Sequence, residues 1–210
     1  GGFYKNGEGV AVDDAEAVKW YLLAARQGYA DAQNDLGVMY ENGKGIAEDA
    51  IKAVKWYRRA ATQGHSDAQY NLGFMYYAGS GVDQDDAEAI KWYQLAAEQG
   101  ADAQFNLGVM HENGTGVVQD FKKSVGWYRM AAEQGYVKAQ FNLALMYEGG
   151  KWVKRDYVLA HMWYNLAARN GDKFGSHNRD IVAGQMTSAQ IVEAQKLAKE
   201  CEKKNYKNCD

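Results

Sequence analysis

The feature that most limits what this chain can fold into is its period. Tryptophan recurs at Trp20, Trp56, Trp92, Trp127 and Trp163, at intervals of 36, 36, 35 and 36 residues. The short interval comes from "EQGADAQ" standing where an earlier copy has "RQGYADAQ". Seven residues before each Trp stands an Asp (Asp13, Asp49, Asp85, Asp120, Asp156), and eight after it a Gly (Gly28, Gly64, Gly100, Gly135, Gly171). Asp accepts hydrogen bonds from the free N–H groups of a helix's first turn, and Gly takes the left-handed conformation that ends one. Each Asp-to-Gly block therefore predicts a helix of about fourteen residues. Glu16 and Glu88, three residues beyond Asp13 and Asp85, complete the capping-box pattern.

Between these blocks lies a second apolar period. "LGVMYENGKGIAE" from Leu36 returns as "LGFMYYAGSGVDQ" from Leu72, "LGVMHENGTGVVQ" from Leu107 and "LALMYEGGKWVKR" from Leu143. Ala32, Leu36, Met39 and Tyr40 fall on one helical face, as do Ala68, Leu72, Met75 and Tyr76. Paired glycines such as Gly43 and Gly45 then turn the chain back, and Val10, Ile46, Val82, Val117 and Val153 are expected to anchor that turn. The repeated unit is thus two antiparallel helices. A lone pair cannot bury both of its apolar sides, whereas identical neighbours shield one another, so every copy carries the same interlocking residues. Alanine pairs such as Ala60–Ala61 allow close approach, and Trp–Tyr pairs such as Trp56–Tyr57 are expected to supply bulk. The expectation is an all-α chain, an αα-solenoid of period 36. Residues 1–29 would be a truncated repeat holding only the second helix, followed by four helix pairs at about 30–65, 66–100, 101–135 and 136–171. Residues 172–210 would form a degenerate closing unit with its last helix at about 188–204, starting near Thr187 with Gln190 as capping-box partner. Because the chain opens in mid-repeat, further repeats are expected upstream, and association through that end is expected to be open to an otherwise monomeric chain.

The 210 residues carry 47% hydrophobic and 24% charged side chains, with 23 Gly, no Pro and a net charge of −3. There is no basic excess to neutralise phosphates, which argues against nucleic acid. No apolar run reaches the roughly 18 residues of a membrane span. His65, His111, His161 and His177 form no pair at ligand spacing, and the sequence has no HExxH, no CxxC and no phosphate loop. Neither metal nor cofactor is expected. The glycine-rich "GKGI", "GSGV" and "GTGV" segments are turns, and Asp13–Asp14 and Asp85–Asp86 sit at helix starts, where capping explains them. Cys201 and Cys209 are free thiols if the chain is cytosolic and a bridge closing a short loop if it is exported.

The pattern A-x-x-x-LG-x-MY-x-x-G-x-G-V…D-x-x-x-A-x-x-WY-x-x-AA-x-QG closely resembles the Sel1-like repeat, a relative of the tetratricopeptide repeat, over about residues 1–171. The tail "MTSAQIVEAQKLAKECEKKNYKNC" resembles the closing helix of exported bacterial members. The resemblance implies a right-handed superhelix of helix pairs acting as a protein-binding scaffold, located in the bacterial periplasm or secreted, with some relatives engaging host proteins. It also implies a disulfide, because cysteine-rich relatives pair cysteines separated by seven residues, as Cys201 and Cys209 are. Departures from the pattern are His111 for the repeat Tyr, Ala144 for the repeat Gly and Trp152 for the second turn Gly. Some relatives are linked to penicillin binding or hydrolysis, so an envelope enzyme is the alternative. None of Ser66, Ser80, Ser124, Ser176 or Ser188 has the Lys three residues on that such chemistry uses, and no catalytic residue is assigned. A purely structural segment of a longer repeat protein is the other alternative.

By analogy with tetratricopeptide repeats, the inner face is formed by the first helix of each pair. It holds Asn34, Val38 and Glu41, then Tyr70, Phe74 and Tyr77, then Phe105, Val109 and Glu112, then Phe141, Leu145 and Glu148. The i, i+4, i+7 spacing puts each trio on one stripe. Two readings stand for these aromatics, packing on neighbouring helices or lining a groove for a protein or peptide. Trp152 is either folded onto the end unit or an exposed contact.

Overall fold

A computed structural model of the chain describes Gly2 and residues 13–150 and 152–209. Val10 and the other turn-template residues before Asp13 lie outside the described residues. Among the described residues there are eleven α-helices and no strand. They are α1 (Asp14–Arg26), α2 (Ala30–Asn42), α3 (Ala50–Ala61), α4 (Ser66–Ala78) and α5 (Asp86–Ala96), then α6 (Ala101–Asn113), α7 (Phe121–Ala132), α8 (Val137–Gly149), α9 (Tyr157–Arg169), α10 (Gly175–Ala183) and α11 (Ser188–Lys203). The chain divides into two compact units, Gly1–Gly100 and Ala101–Asp210. Within each, the helices from α1 to α5 and from α6 to α10 pack each on the one that follows, and α9 is also covered by α11.

The helix starts follow from the aspartates. Asp13, Asp49, Asp85, Asp120 and Asp156 each accept the backbone N–H three residues on, at 2.9–3.0 Å. The expected reciprocal arm is not formed at Asp13 and Asp85. Glu16 and Glu88 instead take ion pairs from Lys19 and Lys91. The physical reason is visible at Asp85, whose own N–H already donates to the Tyr76 carbonyl at 3.0 Å. Asp49, Asp120 and Asp156 donate in the same way to Tyr40, His111 and Tyr147. In α11 the full box is formed, with Thr187 and Gln190 satisfying each other's backbone N–H at 2.9 and 3.3 Å. Gly28, Gly64, Gly135 and Gly171 adopt left-handed backbone, but Gly100 does not; the residue missing from that repeat removes the turn that needed it.

The tightest contacts fall where the sequence offers least side chain. Gly45 and Gly81, at φ of +67° and +68°, lie against the first turn of the helix one pair earlier. A Cβ on either would sit 2.3–2.4 Å from the backbone of Asp14 or Ala50. Gly37, Gly73 and Gly108 serve a second approach, since a Cβ there would meet the rings of Tyr57, Tyr93 and Tyr128 at 2.6–2.9 Å. Those three tyrosines and Tyr164 are fully buried with Leu36, Leu72, Leu107 and Leu143. The tryptophans do not share the core as their pairing with Tyr suggested. Trp20 is exposed, Trp56, Trp92 and Trp127 are half-buried, and only Trp163 is enclosed. Neighbouring side chains on a helix point about 100° apart, so a Tyr aimed at the paired helix leaves its Trp on the flank. That flank is closed in α9, on which α10 and α11 both pack.

Buried glutamines tie pairs together. Within the first unit Gln33 donates to the Ala25 carbonyl at 3.0 Å and accepts from Gln63 at 2.7 Å. In the second unit Gln104 accepts from Gln134 at 2.9 Å, and Gln140 accepts from Asn170 at 3.0 Å. The tail extends this ladder, because the Tyr206 hydroxyl donates to Asn170 at 3.0 Å. The Cys201–Cys209 disulfide closes the tail, in which Asn205, Tyr206 and Asn208 are left-handed, and Asn208 N–H reaches Glu133 at 3.2 Å.

Candidate protein-binding surface

The first helix of each pair carries its trio at corresponding positions, with exposure that differs from pair to pair. In the first unit, Asn71 of α4 donates to Asn34 of α2 at 3.1 Å. Tyr70 leans on Tyr93, ring centroids 5.6 Å apart, while Phe74 and Tyr77 are 42% and 43% exposed. Val38 is half-buried. Glu41 accepts the Tyr57 hydroxyl at 2.5 Å, so this carboxylate satisfies a buried phenol.

In the second unit, Phe105 packs between Tyr128 and Tyr136 at 5.6 and 5.2 Å, and Phe141 meets Tyr164 edge-on at 5.3 Å. Glu112 and Glu148 accept from Tyr128 and Tyr164, each at 2.6 Å. Burial is the main reason the phenols of Tyr57, Tyr128 and Tyr164 are held far above their usual titration range, with the adjoining carboxylates adding to it. The Glu–Tyr bond links residues sixteen apart and was not legible in the sequence, although Glu recurs at that place in three trios. Val109 is half-buried and Leu145 is 43% exposed.

Trp152 occupies the place of the turn glycines Gly45 and Gly81. Its ring stacks on Phe121 at 3.3 Å and 4°, and Phe121 is the α7 counterpart of Asp14 and Ala50. A glycine-on-backbone contact has thus become an aromatic pair. Trp152 remains 45% exposed and walls a cavity of about 250 Å³ together with Glu112, Asn142, Leu145, Met146 and Gly149. Three residues singled out in the sequence therefore meet in one place. Among the described residues, no group of three or more His, Cys, Asp or Glu is placed to hold a metal ion, and no helix is long and apolar enough to cross a membrane. The chemistry on offer is apolar contact edged by hydrogen-bonding groups.

Helix pairs of one repeating pattern, joined by glycine turns and shielding each other's apolar sides, define an αα-repeat solenoid. The Sel1 repeat pattern matches residues 1–29, 30–65, 66–100, 101–136 and 137–172, and the chain belongs to the Sel1 repeat family. It is similar to a protective antigen of uropathogenic Escherichia coli with an SLR fold, at 37% identity and TM-score 0.86, covering 97% of this chain and 44% of that one. The chain thus spans less than half the length of that relative. It is also similar to a Sel1 repeat protein from Oxalobacter formigenes, at 40% identity and TM-score 0.77, over 81% of this chain and 70% of that one. No curated protein matches the sequence.

Proposed function

We propose that the chain is a protein-binding scaffold whose contacts are made by the first helices of its repeats. Four large apolar side chains carry this reading. Phe74, Tyr77, Leu145 and Trp152 stay 42–45% exposed in a fold whose repeated Leu and Tyr residues are buried. Side chains held on rigid helices, as Phe74, Tyr77 and Leu145 are, make effective anchors because little further entropy is lost on binding, and Trp152 adds to them from the turn after α8. In three of the four trios the residue nearest the start is a ring (Tyr70, Phe105, Phe141) that packs on the paired helix and stiffens the site, and the Glu of three trios is engaged by Tyr. Asn34 and Val38 complete the stripe in α2, as Val109 does in α6.

The test uses peptides selected by display against the whole chain. Phe74→Ser with Tyr77→Ser, and separately Leu145→Ser with Trp152→Ser, should each abolish binding of a subset of the selected peptides. Their melting temperatures should stay near the parent's, since exposed substitutions usually stay within about 0.5 kcal/mol. Selected peptides that bind both variants as well as they bind the parent would refute the reading. An exported location, periplasmic or secreted, accords with the Cys201–Cys209 disulfide and with likeness to a protective antigen of a pathogen. Two free thiols, titrated under denaturing conditions in material from the native compartment, would exclude that location.

A further inference from the structure

On its flank the first unit carries a groove lined by apolar and cationic side chains. A cavity of about 440 Å³ runs along α3, floored by Val54 and Val82 and flanked by Ile51, Lys55, Arg58 and Arg59. Helix α3 holds four cations, Lys52, Lys55, Arg58 and Arg59, and no acidic residue, in a chain of net charge −3. Two of the four are engaged locally. Lys52 pairs with its own cap Asp49 at 2.9 Å, and Arg58 donates to the Tyr76 hydroxyl at 2.5 Å. Lys55 enters no ion pair among the described residues. Arg59 lies 4.5 Å over the Trp56 ring, its charge also without a carboxylate there. Ile51 is 57% exposed at the groove's edge.

The chain itself shows what such a face accepts. The α9 counterparts of Val54, Lys55, Arg59 and Thr62 are His161, Met162, Leu166 and Arg169. His161, Met162 and Leu166 are buried in a helix on which α10 and α11 pack. Arg169, beyond them, is paired with Glu202 of α11 at 2.9 Å. In the last repeat, therefore, this face belongs to a helix bound by two others, one of which brings a carboxylate to a cation. In α3 the two buried apolar positions are replaced by the exposed cations Lys55 and Arg59, neither in an ion pair among the described residues.

We infer that the α3 groove is a docking site for an acidic amphipathic helix of a partner protein. Its apolar side would lie on Ile51, Val54 and Val82, and its carboxylates would face Lys55 and Arg59. Charge complementarity selects the partner, and the apolar wall separates a helix from a bare polyanion.

Fluorescence anisotropy of the whole chain at low salt tests this with three labelled probes. They are a helical peptide with Leu on one face and Glu on the other, its Lys-for-Glu counterpart, and a single-stranded oligonucleotide. The acidic helix should bind saturably and the basic one should not. Lys55→Glu with Arg59→Glu should weaken binding at least about tenfold, a change of about 1.4 kcal/mol. Ile51→Ser should weaken it several-fold, and circular dichroism should report an unchanged fold for both variants. No saturable binding of the acidic helix would overturn the proposal. So would indifference to the charge reversal, or oligonucleotide binding as tight as the peptide's and insensitive to Ile51→Ser.

Discussion

Two glycines in the second unit should respond to the same substitution very differently. Gly108 lies in α6 and Gly126 in α7, both within helices. Replacing either with Ala gains the same helix propensity, about 1 kcal/mol. Around Gly126 nothing lies within 4 Å of an added Cβ, so the gain should appear in full. At Gly108 the Cβ would fall 2.6 Å from both Cδ1 and Cε1 of Tyr128. Ordinary carbon contact is about 3.5–4.0 Å, so the ring would have to retreat by about 1 Å. It has little room, being fully buried, and its hydroxyl is held by Glu112 at 2.6 Å. Overpacking of this kind costs about 1–3 kcal/mol. Since propensity cancels between the two variants, their stabilities should differ by that amount. Urea unfolding followed by far-ultraviolet circular dichroism measures it, and both sites report on one unit. Gly108→Ala stabilising the chain as much as Gly126→Ala would show that the Tyr-on-Gly contact does not set the spacing of the pair.

Reduction of Cys201–Cys209, residues separated by 8, should lower the stability of the second unit by about 2.5 kcal/mol on loop-closure grounds. Scanning calorimetry with and without reductant would show this, and an unchanged transition would refute it. Burial is the main cause holding His111 and His161 below the ordinary imidazole range, with Lys123 and Arg179 adding to it. The unfolded chain takes up a proton below about pH 6.5 that the fold refuses. Stability should therefore fall as pH drops through that range, by up to about 1.4 kcal/mol per pH unit for each histidine, and His161→Leu should flatten the slope. Tyr57, Tyr128 and Tyr164 act at the other extreme. Their phenols stay protonated in the fold while the unfolded chain loses those protons above about pH 10. Denaturant midpoints should therefore fall with rising pH there, and Tyr164→Phe should lessen the fall.

Cap and breaker residues made the helices legible, because each works through its own backbone. The five Asp caps could be read one by one, and the repeated Leu with its following Gly placed the paired helix. Orientation between neighbours was less legible. Nothing in "WY" tells which ring faces the paired helix, since that depends on where the partner's glycine lies. The Glu41–Tyr57 bond and its two counterparts join positions that look like a surface charge and a core ring. Trp152 stood out as a departure, but its partner Phe121 sits among the varied residues of a first helical turn. Gly100 shows the reverse limit, a residue that keeps the pattern after a deletion has removed its purpose. At the candidate surface, the sequence placed the trios on one stripe but could not sort anchors from exposed tips. That sorting depends on how far each ring reaches toward the next helix.

The central claim is that the first helices carry the surface on which peptides sensitive to the Phe74→Ser and Tyr77→Ser changes dock. Hydrogen–deuterium exchange by mass spectrometry, with and without a display-selected peptide sensitive to the Phe74→Ser and Tyr77→Ser changes, tests it most directly. The account predicts slowed exchange in α4 with little change in α3 and α5. Protection confined to α3 and α5, or spread evenly through the unit, would contradict it.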